Sequence, residues 1–409
     1  MKDRLQVGLL TPACRGFNTE DGGIAAHFAD LAIGLAALGH AVHLVVLDAP
    51  RPLAALDPAL APLRISAVQS GMPRWLNRLA GWYWPLHTLA GRRWAMRCAS
   101  QVLRAFGAGD TSDCIETDCS GLLALDYLRT RSRPPVVTRV STTAAQLVTH
   151  NGNPARWHER VLQRWEARLL RGSEAVLTHT EAHRRAIAAE FRLDAGRIKL
   201  IAHGIALPRD DELPPAADAT RPPRLLYVGR FEYRKGIDLL LDALPAILAA
   251  VPAAHCQLIG HDPGDHWQQR FWADNPGLDR GRVSFAGRVN AAQLRIAYRE
   301  CDVFVAPSRY ESFGLIYAEA MAWGKPVVGC RAGGVPEVVL DGETGVLVEA
   351  GDRDALRDRL ILLLSDPALR ARLGAAARAR AVSHFSREVL ARRSAEFYAE
   401  VANQRRHAA

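Results

Sequence analysis

The chain reads as two consecutive α/β domains, each a parallel sheet layered between helices. Three observations predict this. Short apolar strands alternate with amphipathic helical stretches from end to end, the rhythm of strand, crossover helix and parallel strand. A length of 409 residues, 49% of them apolar, exceeds one ordinary core and supplies two. Between residues 205 and 224 the rhythm stops: IALPRDDELPPAADATRPPR is rich in proline, alanine and acid and has no periodicity, as a linker or long loop does.

In order, LQVGLLTP opens the chain as a strand. The stretch from Gly23 to Leu38 puts Ile24, Phe28, Leu31, Leu35 and Leu38 on one helical face, and Gly39 stops that helix. AVHLVVLD is the next strand, followed by DCIET, PPVVTRV, EAVLTH and IKLIA. After the linker the alternation resumes with RLLYVGR, AHCQLIG, RVSFAG, VFVAPS, PVVGC and GVLVEA. Domains are therefore expected at 1–205 and 206–385, and a closing helix, about 387–402, could return to the first. The halves share a layout but no sequence repeat. Open sheets of this kind bind ligands beyond the carboxyl ends of their strands, so chemistry is expected in loops that follow strands.

No apolar run is long enough to span a bilayer; the best stretch, Ile24 to Leu47, is broken by Gly34, Gly39, His40 and His43. The opening MKDRLQVGLL carries Asp3 and no apolar h-region, so no secretory signal is expected. Seven cysteines, at 14, 98, 114, 119, 256, 301 and 330, form no CxxC pair, which suits reduced thiols in a cytoplasmic protein. Cys114 and Cys119 lie close, but no second pair completes a zinc site, and both read as small buried hydrophobes. Basic residues outnumber acidic ones 52 to 43, a net +9 that suits nucleic acid, an acidic membrane surface or an anionic substrate. Without a zinc-finger, RRM or KH signature or a basic tail, nucleic acid is the weakest of these.

The strongest chemical signal is VFVAPSRYESFGLIYAEAMAWGKPVVGCRAGGVPEVV. A strand, a loop and a helix follow one another there, with Gly314 where the helix begins. The open amides of a helix N-terminus favour an anion such as a diphosphate. Glu311 falls in the loop and Glu319 is expected two turns into the helix, so the two would touch different parts of one ligand. A carboxylate can accept hydrogen bonds from two vicinal hydroxyls, as on a ribose or hexose.

In LLYVGRFEYRKGIDLLLDAL, Gly229 ends a strand, Arg230 follows it, and Lys235 precedes Gly236 and a helix. Two cations in such a loop can neutralise a departing diphosphate, a task otherwise given to a divalent metal. The alternative is a solvated basic loop. A third signal is DGGI, residues 21–24, where Gly22 and Gly23 let backbone approach a phosphate or sugar, or simply make a tight turn.

Taken together these stretches resemble glycosyltransferase family 4, the retaining glycosyltransferases of the GT-B fold. The likeness covers almost the whole chain: GGIAAH and LAALGHAV near the start, HGI at 203–205, VGRFEYRKGID, VSFAGRV at 283–289, E-SFGLIYA-E, and GGVPEVV with DGETGVLV. It implies two Rossmann-like domains whose parallel sheets face each other across a cleft, the acceptor side in the first and the nucleotide sugar in the second. It implies that Arg230 and Lys235 bind the donor diphosphate and that Glu311 holds the donor sugar. Phe313, Gly314 and Leu315 would border the phosphates and sugar, Glu319 would hold the ribose hydroxyls, and Gly287, Arg288 and Val289 would lie beside the base. The implied reaction is transfer with retention of anomeric configuration, the acceptor entering on the face the leaving group departs from, and the expected pathway is cell-envelope or exopolysaccharide biosynthesis. No cofactor is expected beyond the nucleotide sugar as co-substrate.

One departure stands out. Many members of the family carry a histidine in a segment like VVRLHTP; here the matching stretch is VTRVSTT, and Ser141 takes that place, with His150 nearby. His27, His40 and His203 read as structural. The D-x-D of Asp352 and Asp354 reads as a helix N-cap, so no metal site is expected. Two rival readings remain: a non-catalytic nucleotide-sugar-binding protein, and another enzyme on the same fold such as an epimerase.

Finally, Gly71 to Ala105 holds Arg74, Arg78, Arg92, Arg93, Arg97 and Arg104 with Trp75, Trp82, Tyr83, Trp84 and Trp94, and no acidic residue. Either the tryptophans pack inward beneath solvated arginines, or Arg92, Arg93 and Trp94 belong to a face that meets an anionic membrane or its acceptor.

Overall fold

The computed structural model describes residues 4–15, 22–48, 58–60, 63–80, 82–107, 112–152, 154–214 and 221–408. Two compact units result, one of residues 1–149, 153–205 and 387–409, the other of residues 150–152 and 206–386.

The first unit runs β1 (Gln6–Thr11), α1 (Gly23–Ala37), β2 (Ala41–Leu47), β3 (Arg64–Val68), α2 (Arg74–Ala80), α3 (Trp84–Gly107), β4 (Cys114–Asp118), β5 (Val136–Arg139), α4 (Ala144–His150), α5 (Trp157–Gly172), β6 (Ala175–Thr178), α6 (Glu181–Phe191) and β7 (Ile198–Leu200). Its seven strands are all parallel, in the order β3-β2-β1-β4-β5-β6-β7. The strands are apolar almost throughout because both faces are covered. Leu9 and Leu44 pack with Phe28, Leu31 and Leu35 of α1 on one face, and Leu10, Val45 and Ile115 pack with Met96 and Leu170 on the other. The expected α1 face holds for Phe28, Leu31 and Leu35, but Ile24 is only half-buried and Leu38 is 42% exposed. The helix ends one residue before Leu38, so that side chain leaves the helical register. Strand β3 and helix α2 were not anticipated.

The second unit runs β8 (Arg224–Val228), α7 (Ile237–Ala250), β9 (His255–Ile259), α8 (His266–Asp274), β10 (Val283–Gly287), α9 (Ala291–Glu300), β11 (Val303–Ala306), α10 (Leu315–Ala322), β12 (Val327–Cys330), α11 (Val335–Val338), β13 (Gly345–Val348), α12 (Arg353–Ser365) and α13 (Pro367–Phe385). Its sheet is also parallel, ordered β10-β9-β8-β11-β12-β13. The order reverses between β8 and β11, which opens a crevice at their carboxyl ends.

The last helix, α14 (Arg387–Ala408), packs along α1 of the first unit. A Cβ on Gly34 would come within 2.8 Å of Ala391 Cβ, so the missing side chain sets that approach. Arg387 pairs with Asp30 at 2.6 Å, and Tyr398 donates its hydroxyl to buried Glu116. Glu116 also takes Arg139 at 2.7 Å, both side chains being shut from solvent. Beside this pair lie His27 and His203, their Nδ1 atoms 2.8 Å apart, and His179 stacked on His203. Burial keeps these three imidazoles neutral, His27 falling to about 4. His40 accepts the Leu5 amide. All seven cysteines are free thiols, and all but Cys98 are buried.

Candidate functional site

The loops after β8 and β11, on either side of the strand-order reversal, carry the sequence-predicted cations and Glu311. Gly236 closes the first loop at φ +67, and a Cβ there would lie 1.9 Å from the Pro307 carbonyl oxygen of the second. Only glycine fits that turn and that approach together. Arg309 latches the loops a second time, gripping Asp238 through two 2.7 Å bonds and donating to the Tyr233 carbonyl at 2.7 Å.

Inside this frame Glu311 is buried. Its Oε1 accepts from Lys235 Nζ at 2.5 Å and from Ser308 Oγ at 2.9 Å, and its Oε2 lies 3.6 Å from Arg234 Nη1. Arg234, also buried, donates to the Tyr310 carbonyl at 3.0 Å and to Glu232 at 2.7 Å. Burial alone would raise the Glu311 carboxyl, but Lys235 and Arg234 outweigh it and hold the group below its usual range. Burial lowers Lys235 in turn, with Glu311 opposing. Arg230 is different: its side chain is 58% exposed and touches Glu232 at 3.1 Å. Three cations against two carboxylates leave this cluster one positive charge in excess, with Arg230 as its exposed member.

Helix α10 begins beside the cluster. Gly314 is its N-cap at φ +90, and no side chain caps the terminus. A Cβ on Gly314 would strike the Tyr317 ring at 2.5 Å, so this sharp entry also demands glycine. Half-buried Leu315 starts the helix, and Glu319 is its fifth residue. Glu319 therefore sits just over one turn in, not two, because only four helical residues precede it. Tyr298 donates its hydroxyl to Glu319 Oε2 at 2.8 Å. Phe313 turns inward, 2% exposed and edge-on to Phe385, so only its backbone is placed to meet a ligand. Gly287 ends β10 with exposed Arg288 and half-buried Val289 after it.

In the first unit, Gly22 precedes α1 in extended backbone at φ −168, with nothing within 4 Å of a Cβ, and Gly23 is the first helical residue. That conformation is open to any residue, so glycine is not required there by the fold. Asp21 lies outside the described residues. Ser141 follows β5 in the first unit, its hydroxyl buried. Burial raises the nearby Asp118 carboxyl, against which Ser120 and Ser141 act. His150 instead belongs to the second unit, stacked on Tyr310 at 3.8 Å, and the neighbouring Asn151 accepts the Arg234 amide. Ser141 and His150 thus fall in different units.

Arg92 and Arg93 are both tied to the body of the first unit. Arg92 donates to the Ser120 carbonyl, and burial holds its guanidinium below the usual range. Arg93 pairs with Asp126, and Trp94 is half-buried. Arg92 is turned toward the rest of the unit, whereas the Arg93 side chain stays 35% exposed.

Sequence reasoning missed Arg234, Ser308 and the Arg309–Asp238 latch. Arg234 stands next to Lys235 in the same basic run, and spacing alone cannot tell which cation folds inward. Asp352 does cap α12, accepting the Ala355 amide at 2.9 Å. Among the described residues no group of three or more His, Cys, Asp or Glu could hold a metal ion.

Two family models match the chain: Glycosyltransferase Family 4 over residues 21–209 and Glycosyl transferases group 1 over residues 209–380. The phosphatidyl-myo-inositol mannosyltransferase of Mycobacterium leprae is 33% identical over 297 residues, 68% of this chain and 71% of the relative. The glycogen synthase of Mycobacterium tuberculosis is 31% identical over 273 residues, and the match spans 63% of that relative's length. Sucrose-phosphate synthase from Thermosynechococcus elongatus superposes with a TM-score of 0.73 at 24% identity, over 97% of this chain and 99% of the other. Anabaena HepE, solved in complex with UDP and glucose, superposes with a TM-score of 0.70 at 19% identity, over 97% and 100%. At these identities the two structures speak for the fold alone.

Proposed function

The chain belongs to glycosyltransferase family 4 and has the GT-B fold, and from that premise we propose that it moves a sugar from a nucleotide-diphosphate sugar to a glycan or lipid-linked acceptor. Transfer retains anomeric configuration and uses no metal. The setting is cell-envelope or exopolysaccharide biosynthesis at the cytoplasmic side.

One observation carries this reading. The crevice between β8 and β11 places a cation cluster with one charge in excess beside the uncapped N-terminus of α10. That combination suits a diphosphate. The C1–O electron pair of the donor leaves with the diphosphate, and Arg230, Lys235 and the α10 amides stabilise the growing charge. The acceptor hydroxyl oxygen bonds to C1 on the same face, and its proton passes to the departing phosphate oxygen. Glu319, oriented by Tyr298, serves the ribose hydroxyls. Glu311 fixes Lys235 and presents what remains of its carboxylate toward the sugar.

The test is release of free nucleoside diphosphate from a panel of nucleotide sugars, with proton NMR of the released or transferred sugar. An α-configured donor should give an α-configured transfer product. An inverted product would refute retention, and failure to transfer the sugar to any acceptor would refute glycosyl transfer. Ser141, where many relatives carry histidine, motivates a second reading, a protein that binds nucleotide sugars without chemistry. Under that reading binding occurs and no nucleoside diphosphate is ever released.

A further inference from the structure

Among the described residues, eleven large apolar side chains stand exposed, and six of them gather at one place: Trp75, Trp82, Tyr83, Trp84, Leu86 and Trp157. Trp82 is 81% exposed. Five come from the start of α2, the turn after it and the start of α3; Trp157 opens α5, seventy-odd residues later in sequence. Contacts tie the two regions into one surface. Trp157 Nε1 donates to Tyr83 Oη at 3.2 Å with the rings stacked, and Trp84 meets His158 edge-on at 4.8 Å. The Arg156 guanidinium lies 5.9 Å from the Trp84 ring centre.

Arginines frame this surface. Arg74 and Arg78 are exposed on α2, and Arg156, Arg160, Arg164 and Arg168 are exposed along α5 at spacings of four residues, one helical stripe. The acidic residue in the first turn of α5, Glu159, is occupied by the Arg156 amide at 2.5 Å. Gly71 to Ala105 contains no acid at all. Helices α3 and α5 each lead into a strand of a parallel sheet, so their first turns sit at its carboxyl edge.

We propose that this aromatic and arginine face is a docking surface for an anionic lipid bilayer. The chemistry selects the partner. Guanidinium groups and indole N–H groups only donate hydrogen bonds, and phosphodiester oxygens only accept them. Sugar hydroxyls need donors and acceptors together, so a soluble polysaccharide is the poorer match. Tryptophan prefers the boundary between water and acyl chains, and arginines beside it add attraction to anionic head groups. Docking here brings the carboxyl edge of the first sheet toward the membrane, where a lipid-linked acceptor presents its head group. The choice of acceptor rests on the glycosyl-transfer reading; the docking itself does not.

The test is flotation of the full chain with phosphatidylcholine vesicles, with and without phosphatidylglycerol, alongside tryptophan emission. Binding should require phosphatidylglycerol, shift the emission to the blue and weaken as salt rises. It should fall about tenfold or more in Trp82→Ser with Trp157→Ser, and again in Arg160→Glu with Arg164→Glu. All four side chains are exposed, so unchanged melting temperatures would show that the variants fold. No flotation of the wild type with phosphatidylglycerol at low salt, or equal flotation of the variants, overturns the proposal. So does release from vesicles by an uncharged soluble glycan. Donor hydrolysis measured without vesicles separates the two readings: it should be unchanged in all the variants, and its absence from the wild type would strike at glycosyl transfer and leave docking untouched.

Discussion

Lys235 Nζ and Glu311 Oε1 lie 2.5 Å apart although 76 residues separate them in sequence. The contact joins the loop after β8 to the loop after β11 across the crevice where the strand order reverses. It fixes a positive charge in the crevice, beside the proposed diphosphate site, by a carboxylate with little access to water. Substituting Glu311→Gln removes that counter-charge while keeping the shape. The expected cost to unfolding stability is about 3 kcal/mol, because Lys235 and Arg234 are left facing each other with little solvent. A double-mutant cycle with Lys235→Met, read by urea unfolding, should return a coupling of about 1–3 kcal/mol. A coupling near zero would mean that the pair does not set the site.

Arg230 and Glu319 offer cleaner probes because neither is part of a core. Arg230→Ala and Glu319→Ala should each lower donor hydrolysis about a hundredfold or more. Arg230→Ala should stay within about 0.5 kcal/mol of wild-type stability, whereas Glu319→Ala should cost about 1–3 kcal/mol because it strands the buried Tyr298 hydroxyl. Wild-type hydrolysis in either folded variant would remove that residue from the donor site.

Turnover should survive chelator. On the proposed reading, Arg230, Lys235 and the α10 N-terminus take the part a metal would otherwise play at the diphosphate. Loss of hydrolysis in EDTA, with recovery on adding a divalent ion, would contradict this.

Stability should peak near neutral pH and fall unequally on either side. His27 and His183 drop to about 4 in the fold, and His179 and His203 fall well below their usual range, all chiefly by burial. The unfolded chain therefore binds up to four more protons as pH falls from about 6.5 toward 4, each worth about 1.4 kcal/mol per pH unit. Glu166 acts oppositely: burial raises it to about 8, so its folded form keeps a proton that the unfolded chain releases above about 4.5. Its effect is a shallow loss of stability as pH rises toward 8. Melting temperature against pH should show a steep acid limb and a gentle alkaline one, and Glu166→Gln should flatten the latter. A symmetrical profile in wild type would contradict the assignment.

Much of this was legible locally. The strand–loop–helix grammar around Gly229 to Gly236 and Pro307 to Leu315 is contiguous in sequence, so the loops that carry the site could be named with their glycines and cations. What escaped reading is what tertiary packing decides. Arg234 and Arg230 look alike in RFEYRKG, yet one is buried and the other open, because only Arg234 meets the Tyr310 carbonyl and Glu311. Arg92 and Arg93 look like surface charge until α3 is laid on the unit and Ser120 and Asp126 come under them. The reverse error hid α5, whose four-residue arginine spacing lay in the sequence but gained meaning only once Trp157 met Tyr83. The His27–His203 contact spans 176 residues, beyond any periodicity. Strand β3 is short, with Arg64 and Ser66 in it, too polar to stand out as a buried strand.

Thermal shift of the full chain against a panel of nucleotide-diphosphate sugars, with Arg230→Ala/Lys235→Met as the paired control, tests the diphosphate site most directly. At a hundredfold excess over the dissociation constant, a matching donor should add about 2.7 kcal/mol of stability to the wild type. The double variant should lose most of that gain. A panel in which no nucleotide sugar raises the melting temperature, or one that raises wild type and double variant equally, would contradict a donor site in the crevice between β8 and β11.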